Sequence, residues 1–207
     1  MSALLEAALA YRELGLHPIP ILPRSKRPGI ASWKKYQDQQ PTVEELIAWW
    51  ELNADFNVAL IMGRGVLAVD VDGPEGHAAL MAAGIDVRDA PCSRTGRGHH
   101  YFFAGTAPDR IGLFHKVDVR GIGYVVVAPS IHANGAVYAW ERPITGSLPM
   151  IPDQLVVALR RPLVPAPGRS GPDWFTQSLV GVPEGGRDAT CTRLAGYLLG
   201  KGIPRDA

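Results

Sequence analysis

The chain has 207 residues, 46% hydrophobic and 20% charged, with a formal net charge of +1 at pH 7. That balance fits a globular protein with a sizeable core and excludes a disordered or fibrous chain, and it supplies no global attraction for polyanions. Two cysteines far apart, Cys92 and Cys191, exclude a disulfide framework and a zinc ribbon and fit a reducing cytoplasm.

The N-terminal stretch SALLEAALAYRELG is broken by Glu6, Arg12 and Glu13, which excludes a signal peptide. Leu4, Leu5, Ala8, Tyr11 and Leu14 recur at helical spacing, so a helix is predicted over 3–14, with Gly15 as its stop. His17–Leu22 reads as a short strand, confined to a sheet edge by Pro18 and Pro20. Arg24, Lys26, Arg27, Lys34 and Lys35 follow within twelve residues that contain no acid. Such a run is either a solvated loop or a contact for a nucleic-acid backbone. Thr42 and Glu45 form a capping box for a helix to about Leu52. The apolar runs Asn57–Met62 and Val66–Val71, joined by Gly63-Arg64-Gly65, predict a hairpin in a sheet core.

A helix is predicted from about Glu75 to Gly84, then a loop over 86–98. Strands are predicted at His99–Phe103, at Lys116–Arg120 running on into Tyr124–Ala128, and at Ala136–Trp140. Pro152 to Arg160 reads as a helix. Several strands follow one another directly, which predicts an α+β fold rather than a βαβ alternation. The uncharged stretch Gly121–Trp140 carries three glycines, Pro129, His132 and Asn134, so it predicts strands and turns, not a membrane span. A Pro/Gly-rich linker is predicted at 162–173, and helices in 174–207 read as the start of a helical domain cut short.

Three segments carry candidate chemistry. In Val69-Asp70-Val71-Asp72-Gly73, alternation puts both acids on one strand face, where two close carboxylates repel each other unless a hard cation such as Mg²⁺ or Mn²⁺ sits between them. The plainer alternative is a turn at Asp72-Gly73-Pro74, which leaves Asp70 unexplained. In Ser93-Arg94-Thr95-Gly96-Arg97-Gly98-His99-His100-Tyr101, backbone N–H groups, hydroxyls and Arg97 suit a phosphate, and only one of the two histidines can face the site. Zinc at Cys92, His99 and His100 is disfavoured by their spacing and opposite directions. Asp118 lies in a third apolar strand with Arg120 on its face, as a structural ion pair or as a further site acid.

These motifs, in this order, resemble the bifunctional primase–polymerase domain of phage and plasmid replication proteins, in the archaeo-eukaryotic primase superfamily. The likeness rests on Asp70-Val71-Asp72, on Gly96 through Phe102, and on Asp118-Val119-Arg120-Gly121-Ile122-Gly123-Tyr124 through Pro129, and covers about residues 1–161. It implies the primase fold, with mixed or antiparallel sheets and flanking helices. It also implies nucleotidyl transfer on single-stranded DNA from NTPs or dNTPs, with two divalent ions, Mg²⁺ or Mn²⁺, on Asp70, Asp72 and Asp118. His99, two residues before the Tyr, matches the family's nucleotide-contacting histidine, and Thr95, Arg97 and Arg120 lie where triphosphate contacts belong. Lys26, Arg27, Trp33, Lys34 and Lys35 would meet the template.

Arg97 stands where many members have a second glycine. The cysteine-rich insertion of some relatives is absent, so no structural zinc is expected. The segment Gly186–Leu199 resembles the opening of the helical domain that follows such catalytic domains, so a helicase-type ATPase is expected downstream in the parent protein; no Walker-type G-x-x-x-x-G-K-S/T occurs here. Two other readings compete: a non-catalytic nucleic-acid-binding module of the same fold, and a haloacid-dehalogenase-type phosphatase with Asp70 as nucleophile.

Overall fold

A computed structural model describes residues 2–160; the linker expected at 162–173 and the helices expected in 174–207 lie outside the described residues. The first helix, α1 (Ala3–Glu13), is capped by the Ser2 side chain, which accepts from the Leu5 N–H at 3.2 Å, and it buries Leu5, Ala8 and Tyr11. Helix α2 (Val43–Leu52) opens with the predicted capping box, Thr42 and Glu45 each accepting the other's backbone N–H. Two further helices, α3 (Gly73–Ala82) and α4 (Asp153–Arg160), flank the sheets.

Strands β1 (Pro18–Ile21), β2 (Asn57–Met62) and β8 (Gly123–Val126) form one sheet in the order β1-β2-β8. Strands β3 (Val66–Asp72), β4 (Cys92–Arg94), β5 (Gly98–Ala104), β6 (Arg110–Phe114), β7 (Val117–Arg120) and β9 (Ala139–Arg142) form another, in the order β6-β7-β3-β5-β4-β9. Every strand pair in the two sheets is antiparallel, and the mix of helices with these sheets is the expected α+β fold. The prolines do keep β1 at an edge.

The expected hairpin between β2 and β3 does not form. Beyond a single bridge from Gly63 to Val66, the two runs enter different sheets. Each strand takes a partner on both edges, β1 and β8 for β2, β5 and β7 for β3, which leaves no edge for the other. The connection permits the break because Gly63, Arg64 and Gly65 are all left-handed, at φ 101°, 50° and 89°. The run 116–128 divides in the same way, with β7 in one sheet and β8 in the other. The loop expected at 86–98 contains β4, and β6 precedes β7 in a segment where no strand was expected.

The six-stranded sheet is covered on both faces. Leu67, Val69, Val71, Tyr101 and Phe103 pack with Leu80 of α3 and Leu155 of α4. On the other face, Ala68 and Phe102 join Leu60 and Val125 of the three-stranded sheet and residues of α1 and α2. This second face holds the candidate site.

The start of β2 is tied to the segment that carries one wall of that site. Asn57, 2% exposed, donates to the Ile131 carbonyl and accepts from the Ile131 N–H, both at 2.8 Å. Ser130 Oγ bridges the Val58 N–H and carbonyl at 2.9 and 3.0 Å, and the Ser130 carbonyl accepts from the Tyr138 N–H. Asn57→Ala strands both Ile131 groups and is expected to cost about 2–4 kcal/mol in urea unfolding. A loss below about 1 kcal/mol would mean that water replaces both bonds.

Candidate functional site

Strand β3 is central because its sequence is apolar to within three residues of its end, and the acids appear only where the sheet opens to solvent. Leu67, Val69 and Val71 point to the α3 side; Ala68, Asp70 and Asp72 point to the other. In the ladder Asp70 lies directly opposite Asp118 of β7 and directly opposite His100 of β5. Directly opposed residues share a face, so the three side chains form one row across three strands. Asp72, opposite Gly98, extends the carboxylates by one step. A Cβ on Gly98 would meet the Val71 carbonyl oxygen, so the close approach of β5 to the acidic end of β3 requires glycine there.

A cleft of about 310 Å³ opens beside this row. Asp70, His100 and Arg120 line it from the six-stranded sheet, Tyr124 and Val126 from β8, with Tyr138 and Lys26 closing its sides. The Tyr124 hydroxyl donates to the Lys26 carbonyl at 3.0 Å, which holds the basic segment at the rim. Gly121 makes the passage from β7 to β8 possible: its N–H and that of Ile122 donate to Asp109 Oδ1 at 2.9 Å, and a Cβ there would collide with the Ala107 carbonyl.

The carboxylates are unequally compensated. Asp118 accepts from the Gly112 N–H at 2.7 Å and from Arg120 at 3.0 Å, so the predicted Asp118–Arg120 pair is present. Burial, and then the charge of Asp72, push the Asp70 carboxyl up to about 6; Lys26 and Arg120 oppose the rise and Asp118 adds to it. The group is therefore short of positive charge. Three carboxylates on one sheet face with that deficit suit a hard divalent cation, although their oxygens do not all lie within 4.8 Å of one another.

The two histidines are placed oppositely to expectation. His100, not His99, shares the face of Asp70, with its Nε2 3.5 Å from Asp70 Oδ1. Burial, reinforced by Lys26, pushes its pKa down to about 3, so the ring is neutral and the contact is no ion pair. His99 lies opposite Val71 and points to the α3 side, where its Nε2 is 3.3 Å from Glu141 Oε1 and its ring stacks edge-on against His77 at 5.1 Å. The family spacing to Tyr101 points to His99, and both His99 and Tyr101 face away from the acids.

The loop after β4 is not an open phosphate cradle. Thr95 Oγ1 accepts from the N–H groups of Arg97 and Gly98 at 3.2 and 3.0 Å, committing both donors within the turn. Arg97 is exposed at its tip. In the basic run Lys26 and Arg27 are exposed, whereas Lys35 is paired with Glu45 at 2.7 Å. Trp33 is half-buried and packs edge-on against Tyr124 at 5.3 Å. Tyr36, 3% exposed, bonds to Glu45 and is closed to base stacking. Sequence reasoning missed Tyr124 and Tyr138 as cleft walls: Tyr124 stood only as a member of the motif that follows Asp118, and nothing local marks Tyr138.

The sequence model of the family described as bifunctional DNA primase/polymerase, N-terminal, matches residues 8–167. No curated protein matches the chain.

The raised Asp70 value has a consequence for stability. A carboxyl with its folded pKa above the unfolded value of about 3.9 favours folding when protonated, so its contribution is lost as pH rises from about 4 through 6. Without divalent ions, Asp70→Asn is expected to gain about 1–2 kcal/mol at pH 7 and nothing near pH 3. Guanidinium unfolding in EDTA measures this. Equal stability at pH 7 would mean that other groups relieve the carboxylate.

Proposed function

The chain belongs to the bifunctional DNA primase/polymerase N-terminal family, and we propose that it makes primers on single-stranded DNA and extends them from nucleoside triphosphates. The row Asp118–Asp70–His100 beside a cleft rimmed by Lys26 and Arg120 carries this reading. Asp70, Asp72 and Asp118 would hold two divalent ions, Mg²⁺ or Mn²⁺, which when bound make a 3′-hydroxyl more acidic and offset charge on the triphosphate.

The other roles belong to the chain's own groups. Arg120 and Lys26 face the cleft and bind phosphate oxygens, Arg120 as a fork already oriented by Asp118. His100, neutral and buried, takes the nucleotide-contacting role first ascribed to His99; it orients the triphosphate by donating a hydrogen bond. Arg97, at the exposed loop tip, adds a donor for the phosphate tail, whereas the Thr95 hydroxyl shapes the turn. Tyr124 and Tyr138 bound the cleft and keep water from the reacting groups. Arg27, Lys34 and Lys26 track the template backbone, with the open part of Trp33 for a base.

On this reading the protein works in phage or plasmid replication in the bacterial cytoplasm, with residues 1–161 as catalytic domain, 162–173 as linker and 174–207 opening a helical domain that precedes a helicase partner. The resemblance of Gly186–Leu199 to such a domain supports that setting. Among the described residues no helix is long and apolar enough to cross a membrane. The family match leaves the phosphatase reading without support.

The test is synthesis from labelled nucleotides on unprimed single-stranded DNA, with Mg²⁺ or Mn²⁺ and with EDTA. Metal-dependent oligonucleotides are expected. Asp70→Ala and Asp118→Ala should lower the rate by about 10²–10³-fold while template binding persists, and His100→Ala should raise the nucleotide KM about tenfold. No product even on a primed template would favour the non-catalytic binding module. Template affinity should fall steeply with salt, and Lys26→Ala should flatten the log–log slope by about 0.7. An unchanged slope would remove Lys26 from the template path.

A further inference from the structure

The face of the six-stranded sheet turned away from the carboxylates carries a second group of side chains that nucleotidyl transfer does not use. Cys92 of β4, His99 of β5 and Glu141 of β9 each bring a ligand atom within 4.8 Å of the others. Three adjacent strands supply them. Glu141 arrives by an irregularity in the ladder: Cys92 pairs with Arg142 and Ser93 with Trp140, so Glu141 is the extra residue of a β-bulge. A bulge re-aims a side chain, and this one turns a carboxylate toward His99.

The protein partners of these three are few: the Cys92 thiol bonds to Tyr101, and His99 Nε2 meets Glu141. The Cys92 side chain is fully buried and its sulfur is a free thiol. His99 Nδ1 is buried and has no hydrogen-bond partner among the described residues. Glu141 is about half exposed, so the group opens to solvent on its side and an ion can enter there. The surrounding shell is polar and ordered. His77 donates from Nδ1 to the Gly73 carbonyl at 2.9 Å, and its Nε2 accepts from the Tyr101 hydroxyl at 2.8 Å. Tyr101 in turn lies beside the Cys92 thiol.

We propose that Cys92, His99 and Glu141 form a zinc site that ties β4, β5 and β9 together behind the carboxylate cleft. One sulfur, one imidazole nitrogen and one carboxylate oxygen are a ligand set suited to Zn²⁺ and poorly suited to Mg²⁺. Tetrahedral zinc spaces its ligand atoms by roughly 3.3–3.8 Å. His99 Nε2 and Glu141 Oε1 stand at 3.3 Å, and the half-exposed Glu141 head has room to adjust toward the thiol. Binding displaces the thiol proton to solvent; the thiolate and the carboxylate then offset both charges of the ion, and water takes the fourth position. Such a site needs no cysteine-rich insertion, and it differs from the disfavoured set of Cys92, His99 and His100 in taking its third ligand from Glu141.

Cobalt(II) is the probe, because a thiolate ligand gives Co²⁺ a near-ultraviolet charge-transfer band that carboxylates do not. The full chain, stripped with EDTA and carrying Cys191→Ser, is titrated with Co²⁺. A thiolate band saturating at one equivalent is expected. It should be lost in Cys92→Ser, and at least tenfold weaker binding is expected in Glu141→Gln, a surface change that spares the fold. It should persist in Asp70→Asn, which separates this site from the carboxylates. Absence of the band, or its survival in Cys92→Ser, overturns the proposal. So does unchanged affinity in Glu141→Gln. Primer synthesis does not enter this readout, so the two proposals fail independently.

Discussion

The polar face of the six-stranded sheet depends on one row of the backbone ladder, in which Asp70 has Asp118 on one side and His100 on the other. Strand pairing has a period of two, so the row exists in only one register. Shift β5 by a single residue and His99 would meet the carboxylates while His100 entered the apolar layer under α3. The alternation of Tyr101 and Phe103 with His100 and Phe102 opposes this, because a slip would turn Tyr101 and Phe103 out of the layer they share with Leu80 and put His100 in it. An unpartnered polar ring in that layer costs about 1–3 kcal/mol. The packing of the core thus selects which histidine serves the cleft.

The chain changes sheets three times, and the changes from β2 to β3 and from β7 to β8 give the cleft its two walls. Gly63-Arg64-Gly65 sends it from β2 to β3, and Gly121-Ile122-Gly123 sends it from β7 to β8. The acids and Arg120 lie on one wall and Tyr124 on the other, with Lys26 held to Tyr124 through its own carbonyl. Asp118 is oriented by Arg120 and the Gly112 N–H, whereas Asp70 is left to burial and to the repulsion of its neighbours. That inequality makes Asp70 the group most altered by whatever cation or proton reaches the cleft.

Much of this was legible in the sequence, and for local reasons. The capping box of α2, the stop at Gly84, the edge position of β1 and the shared face of Asp118 and Arg120 all follow from spacings of four residues or fewer. The acids were legible because carboxylates at alternate positions of an apolar strand have few structural uses. Sheet membership was not, since two apolar runs joined by a tight turn look alike whether they pair with each other or part. The facing of His99 and His100 was undetermined because both flank the same pleat, and only the partner strand breaks the tie. Glu141 and Tyr138 carry no local mark at all. Their places depend on a bulge and on a hydrogen bond to Ser130, both products of long-range pairing.

The alternation along β5 also bears on how such a chain can diverge. The turn after Arg94 is freer to lengthen, because its tip is exposed beyond the end of the strand. Between Gly98 and Ala104, however, an inserted or deleted residue would carry every later side chain to the opposite surface, exchanging Tyr101 with Phe102 in the same event. Point changes in that strand are graded in their harm, while changes of length are all-or-none. Kinship among such domains is therefore better traced through ungapped blocks over this strand than through identity at any single position within it.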